Sequence, residues 1–275
     1  MNTRDKGLEK AAINPVDQAI PDVQSTIDTR HIAIQSVGIR SVKYPVLIEL
    51  QGQKPMPSVA EFEMTVFLPA EQKGTHMSRF IALLEEQQGQ VLNVAGFRGM
   101  LDEMLKRLDA PSGRVKMELP YFLSKVAPVS GVSSLMDYQL TLDGSVNAQG
   151  QEVYLTVVVP VTSLCPCSKK ISEYGAHNQR SHVTARVQLK EDIDIASLIS
   201  SIEQQASCEL YGLLKRPDEK YVTERAYDNP KFVEDLVRDV AIALNKFSQV
   251  GQYTVEAENF ESIHNHSAYA RIDRS

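Results

Sequence analysis

Apolar and polar residues alternate in short runs along most of this chain, interrupted by stretches with a helical period. The first β-type runs are Val42 to Leu50 and Val59 to Leu68, the second placing Phe62, Met64, Val66 and Leu68 on one face. Gln51 to Pro55 between them is turn chemistry. Helical spacing follows at Met77 to Glu86, with Phe80, Ile81, Leu83 and Leu84 on one side. It resumes from Val94 to Leu108, through Phe97, Met100, Leu101, Met104, Leu105 and Leu108, with Asn93 as the candidate cap. Methionines in that stripe are expected to fill the core. Beyond Pro111-Ser112-Gly113 come two more β runs, Arg114 to Leu123 and Ser134 to Leu142, before Asp143-Gly144.

The second half repeats that order of elements. Glu152 to Val161 and His182 to Leu189 read as strands. Ile195 to Leu210 and Asn229 to Phe247 read as helices, with Pro230 in the first turn of the latter. Gln252 to Glu258 and Ser267 to Ile272 read as closing strands. The expected fold class is α+β, with residues 1–36 as an N-terminal arm. Two modules follow, 37–147 and 148–275, each an antiparallel four-stranded sheet with two helices (ββααββ). Short connections favour antiparallel pairing. Two helices cover one face of each sheet, leaving the other to line a barrel formed by association.

Composition narrows the classes. A length of 275 residues allows one large or two ordinary domains. A hydrophobic share of 43% with 23% charged residues reads as globular rather than disordered. A net charge of −6 argues against a general nucleic-acid binder. Three cysteines do not make a disulfide scaffold and suit a reducing compartment. The start, MNTRDKGLEK, lacks the apolar region of a signal peptide, and the apolar run near Tyr154 to Val161 is too short to span a bilayer. A cytoplasmic protein with neither nucleic-acid nor membrane partners is expected. No Gly-x-Gly-x-x-Gly or Walker motif occurs.

The densest chemistry lies between two β runs, in PVTSLCPCSKKISEYGAHNQRSH, Pro160 to His182. It holds Cys165, Cys167, His177, His182, Lys169, Lys170 and Arg180. Thiol, imidazole and cations together suggest a metal site that handles an anionic substrate. Cys-Pro-Cys is not the Cys-x-x-Cys of a zinc ribbon or redox pair. In an extended chain Cys165 and Cys167 point the same way. Two small buried residues near a turn explain the pair equally well. His31, in the arm, reads as a solvated surface residue. Arg216 to Lys220 reads as a polar loop between helices, and Glu234 as a charge near a helix start. In Glu261 to His266, His264 and His266 share one face if the segment is extended. Histidine suits both metal ligation and proton transfer.

Five segments together carry a specific resemblance: LCPCSKKISEYGAHNQRSH, RPDEKYVTE, NPKFVED, SIHNHSAY and the earlier GTHMSRF. They resemble GTP cyclohydrolase I of type IB, over most of the chain except the arm. The resemblance implies two tandem tunnelling-fold modules and conversion of GTP to 7,8-dihydroneopterin triphosphate and formate, the first step towards folate and related pterins. It implies metal ligands at Cys165, His177, Glu219 and His264, for a divalent ion such as zinc, manganese or iron. Cys165, His177 and His266 form the implied catalytic set, with His266 transferring a proton. Glu234 is implied as the guanine anchor. Lys169, Lys170, Arg180 and Arg216 are the cations available for the triphosphate. A homotetramer with sites shared between chains is implied as well. Two other readings stay open at this point. One is the related nitrile reductase of queuosine synthesis, whose Glu-Ser-Lys-Ser type motif this sequence lacks. The other is a non-catalytic protein whose four ligands close a structural metal site.

Overall fold

The computed structural model describes Gln24, residues 26–49 and residues 54–275. The expected arm falls largely outside these residues, as does most of the Gln51 to Pro55 turn; His31 is exposed, as expected. The elements run β1 (Ile34–Ile48), β2 (Met56–Leu68), α1 (Met77–Gln87), β3 (Val91–Leu92), α2 (Val94–Leu108), β4 (Gly113–Val126) and β5 (Ser133–Asn147). Then come β6 (Gly150–Leu164), α3 (Pro166–Ile171), β7 (Asn178–Leu189), α4 (Ile195–Glu203), β8 (Cys208–Glu209), α5 (Arg216–Asp228), α6 (Val233–Leu244), β9 (Val250–Asn259) and β10 (Ala268–Arg274).

The strands form one sheet in the order β10-β9-β7-β6-β5-β4-β2-β1-β3, with β8 paired to β6 off that path. Every pairing is antiparallel except β1 with β3. The α+β class is therefore present as a single, mostly antiparallel sheet. Register explains why helices cover one face. Phe62, Met117, Leu142, Leu155, Val187 and Tyr253 oppose one another across six strands, and all are buried. One residue along, the row reads Glu63, Lys116, Asp143 and Tyr154. A strand turns successive side chains to opposite faces, so these rows make an apolar face and a charged one. On the charged face Arg114 pairs with Asp143 at 2.7 Å, and the Arg186 guanidinium lies 3.7 Å from the Tyr154 ring centroid.

Helix α2 shows how local sequence fixes an element. The Asn93 side chain accepts a hydrogen bond from the Gly96 N–H at 2.8 Å, and Lys106 and Arg107 occupy the last turn. Asp109 ends the helix in the left-handed region at φ 49°. Phe97 and Leu101 pack over Gly144 of β5, where an added Cβ would lie 2.6 Å from Leu101 Cδ1. Gly144 therefore admits the helix. Asp143-Gly144 is strand interior, and β5 runs on to Asn147.

The second half departs from the expected ββααββ order by two additional helices, α3 and α5. The helix expected from Ile195 to Leu210 stops at Glu203, after which Cys208–Glu209 pairs with β6. The helix expected from Asn229 begins at Val233, so Pro230 precedes it. Arg216 to Lys220 opens α5 rather than forming a loop. Charge density there had suggested solvated chain, but a proline in the first turn and an aspartate at the third position favour a helix start.

Candidate metal centre

Strand β6 delivers the chain at Leu164, whose N–H donates to Ser207 Oγ at 3.0 Å and whose carbonyl accepts from the Lys231 N–H at 3.1 Å. Cys165 follows as the N-cap of α3, with Pro166 in the first turn. Its Sγ accepts from the Ser168 N–H at 3.4 Å, and Ser168 Oγ returns a bond to the Cys165 carbonyl at 3.1 Å. The strand-like relation expected between the two cysteines does not hold. Pro166 presets a helical φ, so the period of two ends at Cys165. Cys165 is half-buried and Cys167 is exposed.

The chain returns through Gly175, at φ 106°, and the Cys165 N–H donates to the His177 carbonyl at 3.2 Å. That bond closes a loop with the thiol and the imidazole at its two ends. The His177 Nδ1 lies 3.0 Å from Gln179 Oε1 and 3.2 Å from Ser262 Oγ. These contacts occupy Nδ1 and leave Nε2 as the nitrogen available to a ligand, as metal-binding imidazoles are commonly held. Ser262 also ties the segment carrying His264 and His266 to this loop. Those two rings stack with centroids 5.1 Å apart and 14° between planes. The segment is a series of bends, so they are neighbours through the bend rather than through strand alternation. His182 meets Phe260 edge-on at 4.9 Å, and burial, with Arg180 nearby, pushes its pKa below the ordinary value.

Glu219 sits in the first turn of α5 and is exposed, while its neighbour Asp218 is fully buried. Burial opposes ionisation of Asp218, but donors from Ser130, Lys215 and Val129 outweigh it and hold the carboxyl well below the usual carboxylate range. Lys169 of α3 donates to the Tyr227 carbonyl near the end of α5, and its ammonium lies 4.2 Å from the Tyr227 ring centroid. That cation holds α3 against α5. Lys170, Arg180 and Arg216 are exposed and make no side-chain hydrogen bond or ion pair among the described residues. Glu234 is exposed in the first turn of α6.

One chain thus brings together Cys165, His177 and, through Ser262, the segment of His264 and His266. Among the described residues no three His, Cys, Asp or Glu side chains converge as a metal cluster. Glu219 and Glu234 lie in the first turns of α5 and α6. Gln179 and Ser262, which orient His177, were missed from sequence, as were Asp218 and Tyr227. Gln179 was findable, because it follows His177 by two at the start of a strand. Nothing local marks Ser262, 85 residues away.

The sequence profile of the type I GTP cyclohydrolase folE2 family matches residues 20–270. GTP cyclohydrolase FolE2 of Janthinobacterium sp. (strain Marseille) is 61% identical over 274 residues, covering 99% of this chain and 98% of that protein. GTP cyclohydrolase FolE2 of Herminiimonas arsenicoxydans is 64% identical over 256 residues, covering 93% and 97%. Among solved structures, uricase from Arthrobacter globiformis aligns with 87% of this chain and 93% of its own, at TM-score 0.49 and 9% identity. Those last values are too low to bear on function. The family profile and the near-full-length relatives agree, and the chain belongs to the type I GTP cyclohydrolase FolE2 family.

Proposed function

We infer that this protein is a type IB GTP cyclohydrolase that hydrolyses GTP to 7,8-dihydroneopterin triphosphate and formate. The observation that carries the reading is the His177 ring, fixed through Nδ1 by Gln179 and Ser262 beside Cys165. It leaves one imidazole nitrogen and one thiol for a metal, and it brings in the segment with His264. Cys165, His177, Glu219 and His264 would hold the ion. One soft donor, two imidazoles and a carboxylate suit zinc, manganese or iron(II) and single out none. When bound, a divalent ion supplies activation of water near neutral pH.

The chain's own groups do the rest. Glu234 accepts from the N1–H and 2-amino group of guanine, adjacent donors that a carboxylate matches in pairs. His266, stacked on His264, donates a proton to the imidazole nitrogen that leaves when the ring opens. Lys169, Lys170, Arg180 and Arg216 neutralise the triphosphate, with Lys169 also contacting Tyr227 of α5.

We further read the chain as two tunnelling-fold modules, 37–147 and 148–275, meeting at the β5–β6 hairpin, and acting in the cytoplasm as a homotetramer. Among the described residues no three His, Cys, Asp or Glu side chains converge, which supports sites completed by a second subunit. So do Ile171, Tyr174 and Ile263, which lie around the loop with exposures of 85%, 99% and 63%.

The test is GTP turnover, followed as pterin fluorescence, in metal-free protein given one divalent metal at a time. Turnover should appear with at least one metal and be lost in Cys165→Ala with its circular dichroism unchanged. Full activity of metal-stripped Cys165→Ala would overturn the assignment.

A further inference from the structure

Helix α5 is fixed at its start by a carboxylate that the metal set does not use. Asp218 Oδ1 accepts from the Val129 and Ser130 N–H groups, both at 2.8 Å. Its Oδ2 accepts from the Ser130 hydroxyl at 2.6 Å and from the Lys215 N–H at 2.9 Å. Four donors thus converge on one fully buried carboxylate. Two of the three donor residues belong to the β4–β5 connection in the first half of the chain, which closes on itself through Ala127 N–H to Val132 carbonyl at 2.9 Å. Lys215 is the N-cap of α5 itself. The residue after Asp218 is Glu219, whose N–H donates to the Lys215 carbonyl at 3.0 Å in the first turn.

We propose that Asp218 is a positioning residue that sets Glu219 by locking the first turn of α5 to the 129–130 loop. This rests on the reading of Glu219 as a metal ligand. An exposed glutamate on an unfixed first turn samples many positions, because helix ends fray. Here the turn is bonded on its buried side to a loop from the other half of the chain. The carboxylate is needed in its ionised shape, since all four bonds are accepted. Asparagine keeps one acceptor oxygen but sets an N–H₂ group against the Lys215 N–H, donor facing donor. Removing a group that orients a ligand typically weakens metal affinity about 10–100-fold.

The experiment is a double-mutant cycle on the full-length protein, with Zn²⁺ affinity read by competition with a fluorescent chelator. Melting of the metal-free protein is recorded alongside. Asp218→Asn and Glu219→Gln should each raise the Zn²⁺ dissociation constant roughly 10–100-fold. The double variant should bind no more weakly than Glu219→Gln alone, because Asp218 acts only through Glu219. Multiplying effects in the double variant would overturn the proposal, as would wild-type affinity in Asp218→Asn beside a weakened Glu219→Gln. Wild-type affinity in Glu219→Gln would overturn the ligand reading, and the proposal with it. Ser130→Ala, which removes one of the four donors, covers the case in which Asp218→Asn does not fold. It should weaken Zn²⁺ binding several-fold in the wild-type background and not at all in Glu219→Gln; weakening in both backgrounds would count against the proposal.

Discussion

Replacing Lys125 with methionine removes the ionic contact that holds the β4–β5 hairpin against the second half, together with a cation–π contact to Tyr211 at 4.8 Å. Lys125 Nζ lies 2.7 Å from Glu203 Oε1, and the two side chains retain only 12% and 6% of their exposure. The Tyr138 hydroxyl donates to the same oxygen at 2.7 Å. Burial first, then the Glu203 charge, pushes the Tyr138 hydroxyl far above its ordinary pKa, so it stays a donor. Methionine keeps the stem volume of lysine and removes the charge. Glu203 is then left buried with one neutral donor. Breaking a buried pair on one side costs about 3–5 kcal/mol, against about 0–1 kcal/mol for an exposed pair. At the size of this chain that corresponds to a fall in Tm of roughly 5–9 °C.

The assay is urea unfolding by circular dichroism at fixed protein concentration, because any assembly would shift the apparent stability. The double variant Lys125→Met with Glu203→Gln removes both charges and keeps an acceptor for Tyr138. It should recover most of the loss, since the penalty comes from the unpaired charge. A loss below about 1 kcal/mol in Lys125→Met would refute the reasoning, placing the pair with exposed ones. A double variant no more stable than the single would refute it differently, by showing that packing of the lysine stem carries the effect.

Two further outcomes follow from the site. Glu234→Ala should weaken GTP binding by about 1.5–3 kcal/mol, or roughly ten- to a hundredfold, with little change in melting temperature; unchanged affinity in equilibrium binding would remove Glu234 from guanine recognition. His266→Ala should keep its bound metal and lose about 10²–10⁴-fold in rate, while His264→Ala loses both; elemental analysis with turnover separates them, and restoration of His266→Ala by excess metal would reject the proton-transfer role.

Alternation made the sheet legible, because one face of every long strand must be apolar to meet a helix. β4, β6 and β9 appeared within a few residues of their bounds, and α2 matched end to end, cap included. Differences lie at β1, which begins at Ile34 rather than Val42, at a helix end, and where a helix start is polar. Arg216 to Asp228 has Asp218 and Ala226 as its buried residues, so it offers almost no apolar stripe to read. Its stability comes from Asp218 and from contacts made far along the chain, such as Arg225 with Glu209 at 3.1 Å. The apolar period that starts at Ile195 continues past the helix end at Glu203 into residues that pair with β6 instead. Periodicity does not distinguish a short strand from a last helical turn.

Site chemistry was legible as residue types and not as positions. Cys165 and His177 are twelve apart, and one backbone bond between strand end and loop makes them neighbours. That relation is local enough to infer. The stacking of His264 on His266 came out as neighbours for a different reason, since the segment bends where extension was expected. Glu219 shows the limit most clearly. Its motif implies a ligand by resemblance alone, and the turn it sits on is bonded through the preceding residue to a loop about 90 positions earlier. A buried aspartate beside an exposed glutamate looks, in sequence, like two solvated charges at a helix start. Four converging donors show that Asp218 is the one that holds the helix.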